Sequence, residues 1–384
     1  MEFWKNILNN INNQRKIMIK VNRENWKEYK IKDIVKYGKS KNIPAKNRVF
    51  GKYEFWQGGT SNSGYHNEYN NLGKSITISG GGSSGYVHWQ ENKFWGSCHV
   101  LYSFDETKLP TKFLYHVLKW NEHYFKLMST GTAITHFNKW QLDSYKIKLP
   151  DLEDPNSLKL MNEITKRCDE VELATKLATK LATKLEESFE KTYFSALKET
   201  INGGGGVILK DYQLKDVIKY GKRKQIVKKN FEEGIYEYWG GGTKPTGFQK
   251  YFNNSGNKIT ISQSGASAGY VHWQEKPFFA GDVCHPIESF DETKLPTKFL
   301  YYVLKWNEHY FQLMSIGSAQ PNLIRGKMNP YKIEVPDLED PNSLKVMNKI
   351  TNNLDNIVSL ISESKKLINQ FQNSYNGILK KYFE

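Results

Sequence analysis

At 384 residues the chain is long enough for two ordinary domains with cores of their own, and 10 Trp, 23 Tyr and 20 Phe exclude a disordered polymer. Its 55 Lys and Arg against 40 Asp and Glu give a formal charge of +15, which suits a polyanionic partner such as nucleic acid or an anionic membrane surface; a Lys- and Asn-rich proteome would give the same balance with neither. Three cysteines without a CxxC pair, no run near the ~20 apolar residues of a membrane span, and a polar N-terminus lead us to expect a cytoplasmic protein.

In chain order, residues 1–25 carry Phe3, Trp4, Ile7, Leu8 and Ile11 at the spacing of a short amphipathic helix, with Met18 as an alternative start. Residues 26–150 mix strand and helix patterns. "KSITIS" alternates and is β-branched, Gly-rich turns separate such runs, and "PTKFLYHVLKWNEHYFKLM" sets Leu114, Val117, Leu118, Asn121, Tyr124, Phe125 and Met128 on one helical side. "YKIKLP" reads as a closing strand. Residues 151–202 then read as one long helix, opened by Asp-Pro-Asn-Ser, which suits a capped start with Pro in the first turn. Its seam begins with Met161, Ile164, Cys168 and Val171, and then "LATKLATKLATK" places Leu173, Leu177, Leu181 and Leu185 four apart, with Ala174, Ala178 and Ala182 in the neighbouring stripe. A Gly-rich linker, 203–207, releases the chain into a second mixed domain, 208–336, and a second long helix, 337–384. In that helix Met347, Ile350, Leu354, Ile357, Ile361, Ser364, Ile368, Phe371, Tyr375, Ile378 and Tyr382 form a heptad seam with one polar member, Ser364.

The second half repeats the first. "DIVKYGKSKNI" from Asp33 returns as "DVIKYGKRKQI" from Asp216, "GYVHWQE" begins at Gly85 and Gly269, and "SFDETKLPTKFLY" stands letter for letter at Ser103 and Ser289. The offset grows only from 183 to 186 residues, so one unit is duplicated in tandem. The expected fold is α+β: two tandem domains separated by two long antiparallel coiled-coil helices, related by a pseudo-two-fold axis.

Catalytic motifs are absent from the sequence. Residues 80–85 match G-x-G-x-x-G, but "YVHWQ" follows as a strand where a dinucleotide loop would open a helix. Asn329-Pro330-Tyr331 lacks one proline of the amino-methyltransferase motif, and there is no G-x-x-x-x-G-K-[ST] phosphate loop. The pairs Cys98-His99 and Cys284-His285 lack tetrahedral metal spacing, so we expect no metal, and His88 and His272 read as structural.

Two mixed domains alternating with two long helices resemble the specificity (S) subunit of Type I restriction–modification systems. The resemblance runs from about Trp26 to the end, through "WKEYKIKDIVKYGKS", "YEFWQGGT" and above all "GSAQPNLIRGKMNPYKIEVPDLE", echoed by "GTAITHFNKWQLDSYKIKLPDLE". "PDLEDPNSLK" departs from the family's usual Pro-Leu-x-x-Gln. The resemblance implies a non-catalytic subunit that selects double-stranded DNA, each mixed domain reading half of a split site. Its helices would dock two methylation (M) subunits, with restriction (R) subunits joining through the complex. S-adenosylmethionine, ATP and Mg would then belong to those partners, and this chain would hold no cofactor.

Within that reading the candidate DNA contacts are chosen by chemistry: Lys and Arg in loops for phosphate, and polar side chains for base edges. The first copy offers Lys39, Lys41, Lys46, Arg48, Thr60, Ser61 and Asn62; the second offers Lys222, Arg223, Lys224, Lys228, Lys229, Thr243, Lys244 and Thr246. About half would be ordinary solvated loop residues. The spacer seam comprises Leu173, Leu177, Leu181, Leu185, Leu354, Ile357, Ile361 and Ile368. Domains so alike should read related half-sites, approaching an interrupted palindrome. Each LATK copy adds about 6 Å of helix, one or two base pairs at about 3.4 Å each, unless the repeat is a slippage product in a solvated helix. Rival readings are a scaffold of lectin-like domains on a coiled-coil stalk and a stand-alone DNA-binding module.

Overall fold

The structure is a computed structural model and describes residues 25–131, 135–202, 207–227, 231–315 and 321–383. The expected N-terminal helix, the glycines of the linker, and Lys228 and Lys229 lie outside the described residues. The chain divides into two units, one of residues 1–181 with 363–384 and the other of residues 182–362.

In the first unit, β1 (Trp26–Lys30) pairs antiparallel with β11 (Lys146–Pro150), joining the two ends of the mixed domain. The main sheet is antiparallel with β2 (Val35–Tyr37), β9 (His99–Ser103), β5 (Ser75–Ile78) and β7 (Val87–Gln90) in that order. A smaller sheet sets β3 (Tyr53–Trp56) between β4 (Tyr65–His66) and β8 (Phe94–Gly96), and β8 runs parallel to β3. The turn after β5 passes so close to the helical layer that a Cβ at Gly85 would meet the Phe125 backbone at 2.8 Å, and Gly85 has φ +81. Its counterpart Gly269 meets Phe311 and Gln312 in the same way. These two glycines are fixed by close approach and backbone shape.

The single helix expected over 111–128 is two: α2 (Thr111–Trp120) and α3 (Glu122–Met128). Asn121 interrupts it with ψ 2°, its Nδ2 donating to Val117 O while its Oδ1 accepts from Tyr145 OH. Tyr124, which its spacing sets on the apolar side, is exposed. The start of α2 is held by the repeated "SFDETKLPT": Thr111 Oγ1 bonds Glu106 and accepts from Ser103 N.

The helix α5 (Pro155–Asn202) opens as its sequence predicts, with Asp154 Oδ1 accepting from Asn156 N. Tyr29 OH donates to Asp151 and accepts from Leu152 N, tying β1 to this junction. Met161, Ile164, Cys168 and Val171 enter one core with Phe113, Leu114 and Leu118 of α2. Leu367, Phe371, Ile378 and Tyr382, from α10 (Ser343–Phe383), enter the same core. Glu172 lies beside Tyr375 and Arg167 beside Tyr382, so the two helix segments run antiparallel within this unit. Beside them His116 sits between Asp169 Oδ1 and Tyr375 OH, 2.9 Å from each.

The LATK stripe is a correction. Leu173 and Leu177 are 58% and 44% exposed and Leu181 and Leu185 half-buried, whereas Ala174, Ala178 and Ala182 are buried. A four-residue period advances about 400°, a drift of about 40° per repeat, and the leucine stripe accordingly turns from exposed at Leu173 and Leu177 to half-buried at Leu181 and Leu185. The face turned inward is the one whose small side chains permit close packing. In α10, Met347, Ile350, Leu354, Ser364, Phe371, Ile378 and Tyr382 are buried as the heptad reading requires, with Leu367 beside them; Ile357, Ile361 and Ile368 are half-buried.

The second unit repeats the topology. β12 (Leu209–Gln213) pairs with β20 (Lys332–Pro336), and β13 (Ile218–Tyr220), β19 (Cys284–Ser289), β16 (Lys258–Ser262) and β17 (Val271–Gln274) form the main sheet. The smaller sheet holds β15 (Gly247–Gln249), β14 (Tyr236–Trp239) and β18 (Phe279–Ala280). Its core takes in Phe299, Leu300 and Val303 with Met347, Ile350 and Leu354 of α10, and Phe189 of α5 packs against it.

The alanine packing predicts that Ala178→Leu lowers stability by about 1–3 kcal/mol through overpacking. Leu177→Ala should stay within about 0.5 kcal/mol, both read by urea denaturation. Ser364 Oγ is buried without a partner, so Ser364→Ala should leave the midpoint unchanged or raise it.

Candidate nucleic-acid interface

The candidate loops of the first domain are held by their backbones and leave their side chains outward. After β2, Gly38 N bonds Val100 O at 2.9 Å, and Asn71 brackets Lys39, accepting from its N at 3.0 Å and donating to its O at 2.8 Å. Lys41 N bonds Gly96 O, and Trp95 Nε1 donates to Lys41 O. Lys39, Lys41 and Lys46 are exposed, with no ion pair among the described residues. The glycine turn after β3 is pinned by Ser79, whose Oγ donates to Gly59 O at 2.8 Å and accepts from Gly59 N at 3.2 Å. Thr60 and Ser61 project from it exposed, while Asn62 Oδ1 closes its own turn on Gly64 N.

Arg48 joins the lysine loop to the glycine turn. Its Nε donates to Ile43 O at 3.0 Å, its Nη2 to Gln57 Oε1 at 2.7 Å, and its guanidinium lies 4.1 Å over the Phe55 ring. Two of the five N–H donors of the side chain chosen from sequence for phosphate contact are thus given to the fold. Lys39, Lys41, Lys46, Thr60 and Ser61 fall on loops that these bonds connect.

The second domain builds the same face with different chemistry. Asn254 brackets Lys222 as Asn71 brackets Lys39, Lys224 N bonds Ala280 O, and Ser262 Oγ donates to Gly242 O in the turn carrying Thr243, Lys244 and Thr246, all three exposed. Arg223 Nη1 donates to Gln263 Oε1 at 2.7 Å and Asp282 O at 2.9 Å and lies 3.3 Å from His285 Nδ1. His285 Nε2 faces Leu323 O at 2.9 Å. Burial, with Arg223 and Arg325 alongside, pushes the His285 pKa down to about 4, so the ring is neutral, with Nε2 as donor and Nδ1 as acceptor.

Two residues of this face escaped the sequence reading. Arg325 opens α9 (Arg325–Met328) and stacks 3.9 Å over Tyr220, as Lys139 lies 4.1 Å over Tyr37 in the first domain. Gln263 holds Arg223. Arg325 stood inside the segment quoted for its family likeness, and the shared basic character of Lys139 and Arg325, 186 residues apart, was the available signal.

The histidine–cysteine pairs are structural. Burial pushes the Cys98 and Cys284 thiols up to about 12, and His99 Nε2 meets Phe137 O at 2.7 Å. Among the described residues, His116, Asp169 and Glu172 bring ligand-capable atoms within 4.8 Å of one another. Lys112 Nζ, 3.3 and 3.4 Å from the two carboxylates, supplies the charge a cation would bring there. No helix among the described residues is long and apolar enough to cross a membrane.

Duplicated α+β domains that mount exposed basic and hydroxyl side chains on pinned loops, each with a core closed by long helices, define a two-part recognition protein. Residues 23–187 and 209–370 match the family described as the Type I restriction modification DNA specificity domain, and the chain belongs to that family: it is a DNA specificity subunit of a type I restriction–modification system. The family is non-catalytic, and catalysis lies in the methylation and restriction subunits. A putative type I specificity subunit of Mycoplasma pneumoniae is 29% identical over 67% of this chain and 70% of its own length. One from Mycoplasma genitalium is 26% identical over 67% and 68%. The crystal structure of a Type-I restriction-modification system S subunit from M. genitalium shares the fold, with TM-score 0.76 at 22% identity over 96% of this chain and 98% of that one.

Removing Arg48 should act on stability. Arg48→Ala is expected to cost the first domain about 1.5–3 kcal/mol by loss of its charged hydrogen bonds, read by denaturation, while Lys46→Ala leaves the midpoint unchanged.

Proposed function

We propose that each mixed domain, residues 26–150 and 208–336, reads one half of a bipartite duplex site, and that α5 and α10 dock two methylation subunits through which restriction subunits join. The observation that carries this reading is the paired set of exposed, unpaired lysines and hydroxyls on backbone-pinned loops: Lys39, Lys41, Lys46, Thr60 and Ser61 in one copy, and Lys222, Lys224, Thr243, Lys244 and Thr246 in the other. A pinned backbone presents a side chain to a groove without an ordering cost on binding, and flexible lysines at its rim suit phosphates. S-adenosylmethionine, ATP and Mg belong to the partner subunits in this reading. The LATK repeat sets the gap between half-sites, because each copy adds about 6 Å of helix.

The test is to purify the chain with its methylation subunit and map the methylated bases on a random DNA library. A split motif of fixed gap is expected, and deleting one LATK copy should shorten that gap by one or two base pairs; a continuous motif or none contradicts the reading. Lys39→Ala or Lys41→Ala should weaken binding to all sequences alike and lower the salt slope by about one.

A further inference from the structure

The two reading faces differ at one place where the fold is otherwise the same. In the second domain Arg223, Gln263 and Arg325 come together; the aligned positions in the first are Ser40, Gly80 and Lys139. Tyr220 OH donates to Asn329 Oδ1 at 2.7 Å, where Tyr37 OH donates to Asp143. That exchange decides the charge. Lys139 is paired with Asp143 at 2.9 Å, so the first domain is neutral there. Among the described residues no carboxylate pairs with Arg223 or Arg325, and Asn329 cannot supply one. Arg325 Nε is buried without a partner.

Arg223 is also oriented. Its Nη1 is taken up by Gln263, the Asp282 carbonyl and His285, and the neutral His285 is itself fixed by the Leu323 carbonyl. A guanidinium has five N–H donors in a rigid fork, so Nε–H and the Nη2 hydrogens remain for something outside the protein. The side chain is exposed and stands between two free lysines, Lys222 and Lys224. Phosphate contact is served by those flexible neighbours. A fork locked by three partners suits a bidentate acceptor at one position, and guanine O6 and N7 form that acceptor in the major groove.

We propose that Arg223 reads a guanine in the half-site taken by the second domain, with Arg325 beside it on the phosphate backbone, and that the first domain has no equivalent contact. The inference rests on the reading that each domain takes one half-site. It makes the site depart from an interrupted palindrome at this position.

The experiment is methylation mapping with the chain in complex with its methylation subunit, comparing wild type, Arg223→Ser, Arg223→Lys and Arg325→Gln. Wild type should show a strongly preferred guanine in the second half-site with no symmetry-related guanine in the first. Arg223→Ser should relax that one position by about ten- to a hundredfold and leave the first half-site intact, which serves as the internal control for folding. Should the serine variant not fold, Arg223→Lys decides, because it keeps the charge and loses the fork: the same position should relax while the first half-site holds. Arg325→Gln should keep the motif and lower the salt slope by about one. An unchanged second half-site in either Arg223 variant overturns the proposal, as does uniform weakening on all sequences, which would make Arg223 a phosphate contact. An unchanged salt slope in Arg325→Gln overturns its part. A wild-type complex with no split motif overturns the bipartite reading beneath it, a result distinct from a split motif indifferent to residue 223.

Discussion

Each recognition domain depends on a hydrophobic face that its own strands and short helices do not cover. In the first unit that face is closed by Met161, Ile164, Cys168 and Val171 of α5 and by Phe371, Ile378 and Tyr382 of α10; in the second, Met347, Ile350 and Leu354 of α10 do the same work. The long helices are therefore part of the cores, beyond the spacer role proposed for them. Burying several large side chains at about 1.5–3 kcal/mol each makes such a joint stiff. The proposed dependence of the half-site gap on helix length requires such a joint.

On that base the loops are free to vary because their backbones are fixed from beneath. Asn71 and Asn254 bracket Lys39 and Lys222 in the same way, and Ser79 and Ser262 pin the two glycine turns. None of these anchors faces DNA in the proposed reading, so side chains above them can be exchanged without refolding the loop. The two copies have done so: Ser40 against Arg223, Gly80 against Gln263, and the Lys139–Asp143 pair against Arg325 with Asn329. Duplication supplied one scaffold twice, and divergence at its rim is where specificity can differ.

Much of the fold was legible in the sequence. The repeats announced one topology used twice, the β-branched "SITI" and "KITIS" runs are central strands, and most of the heptad seam of α10 is buried, Ser364 included, with Ile357, Ile361 and Ile368 half-buried. The failures have a common cause: they turn on contacts remote in sequence. The break at Asn121 depends on Tyr145, 24 residues on. A four-residue repeat keeps both leucines and alanines in stripes, and only the packed partner decides that alanine faces in. The sequence also does not show that Gln57 stands beside Arg48 and Gln263 beside Arg223, each accepting from the guanidinium. Arg325 was hidden because its basic counterpart, Lys139, is neutralised by an aspartate that the second copy lacks.

The central claim is that each domain carries its half of the specificity by itself. The direct measurement replaces residues 208–336 with a second copy of residues 26–150, leaves both helices unaltered, and maps the methylated motif with the methylation subunit bound. The account predicts an interrupted palindrome in which both halves match the original first half-site, with the gap preserved. A second half-site that keeps its original letters would contradict it, because specificity would then lie outside the exchanged domain.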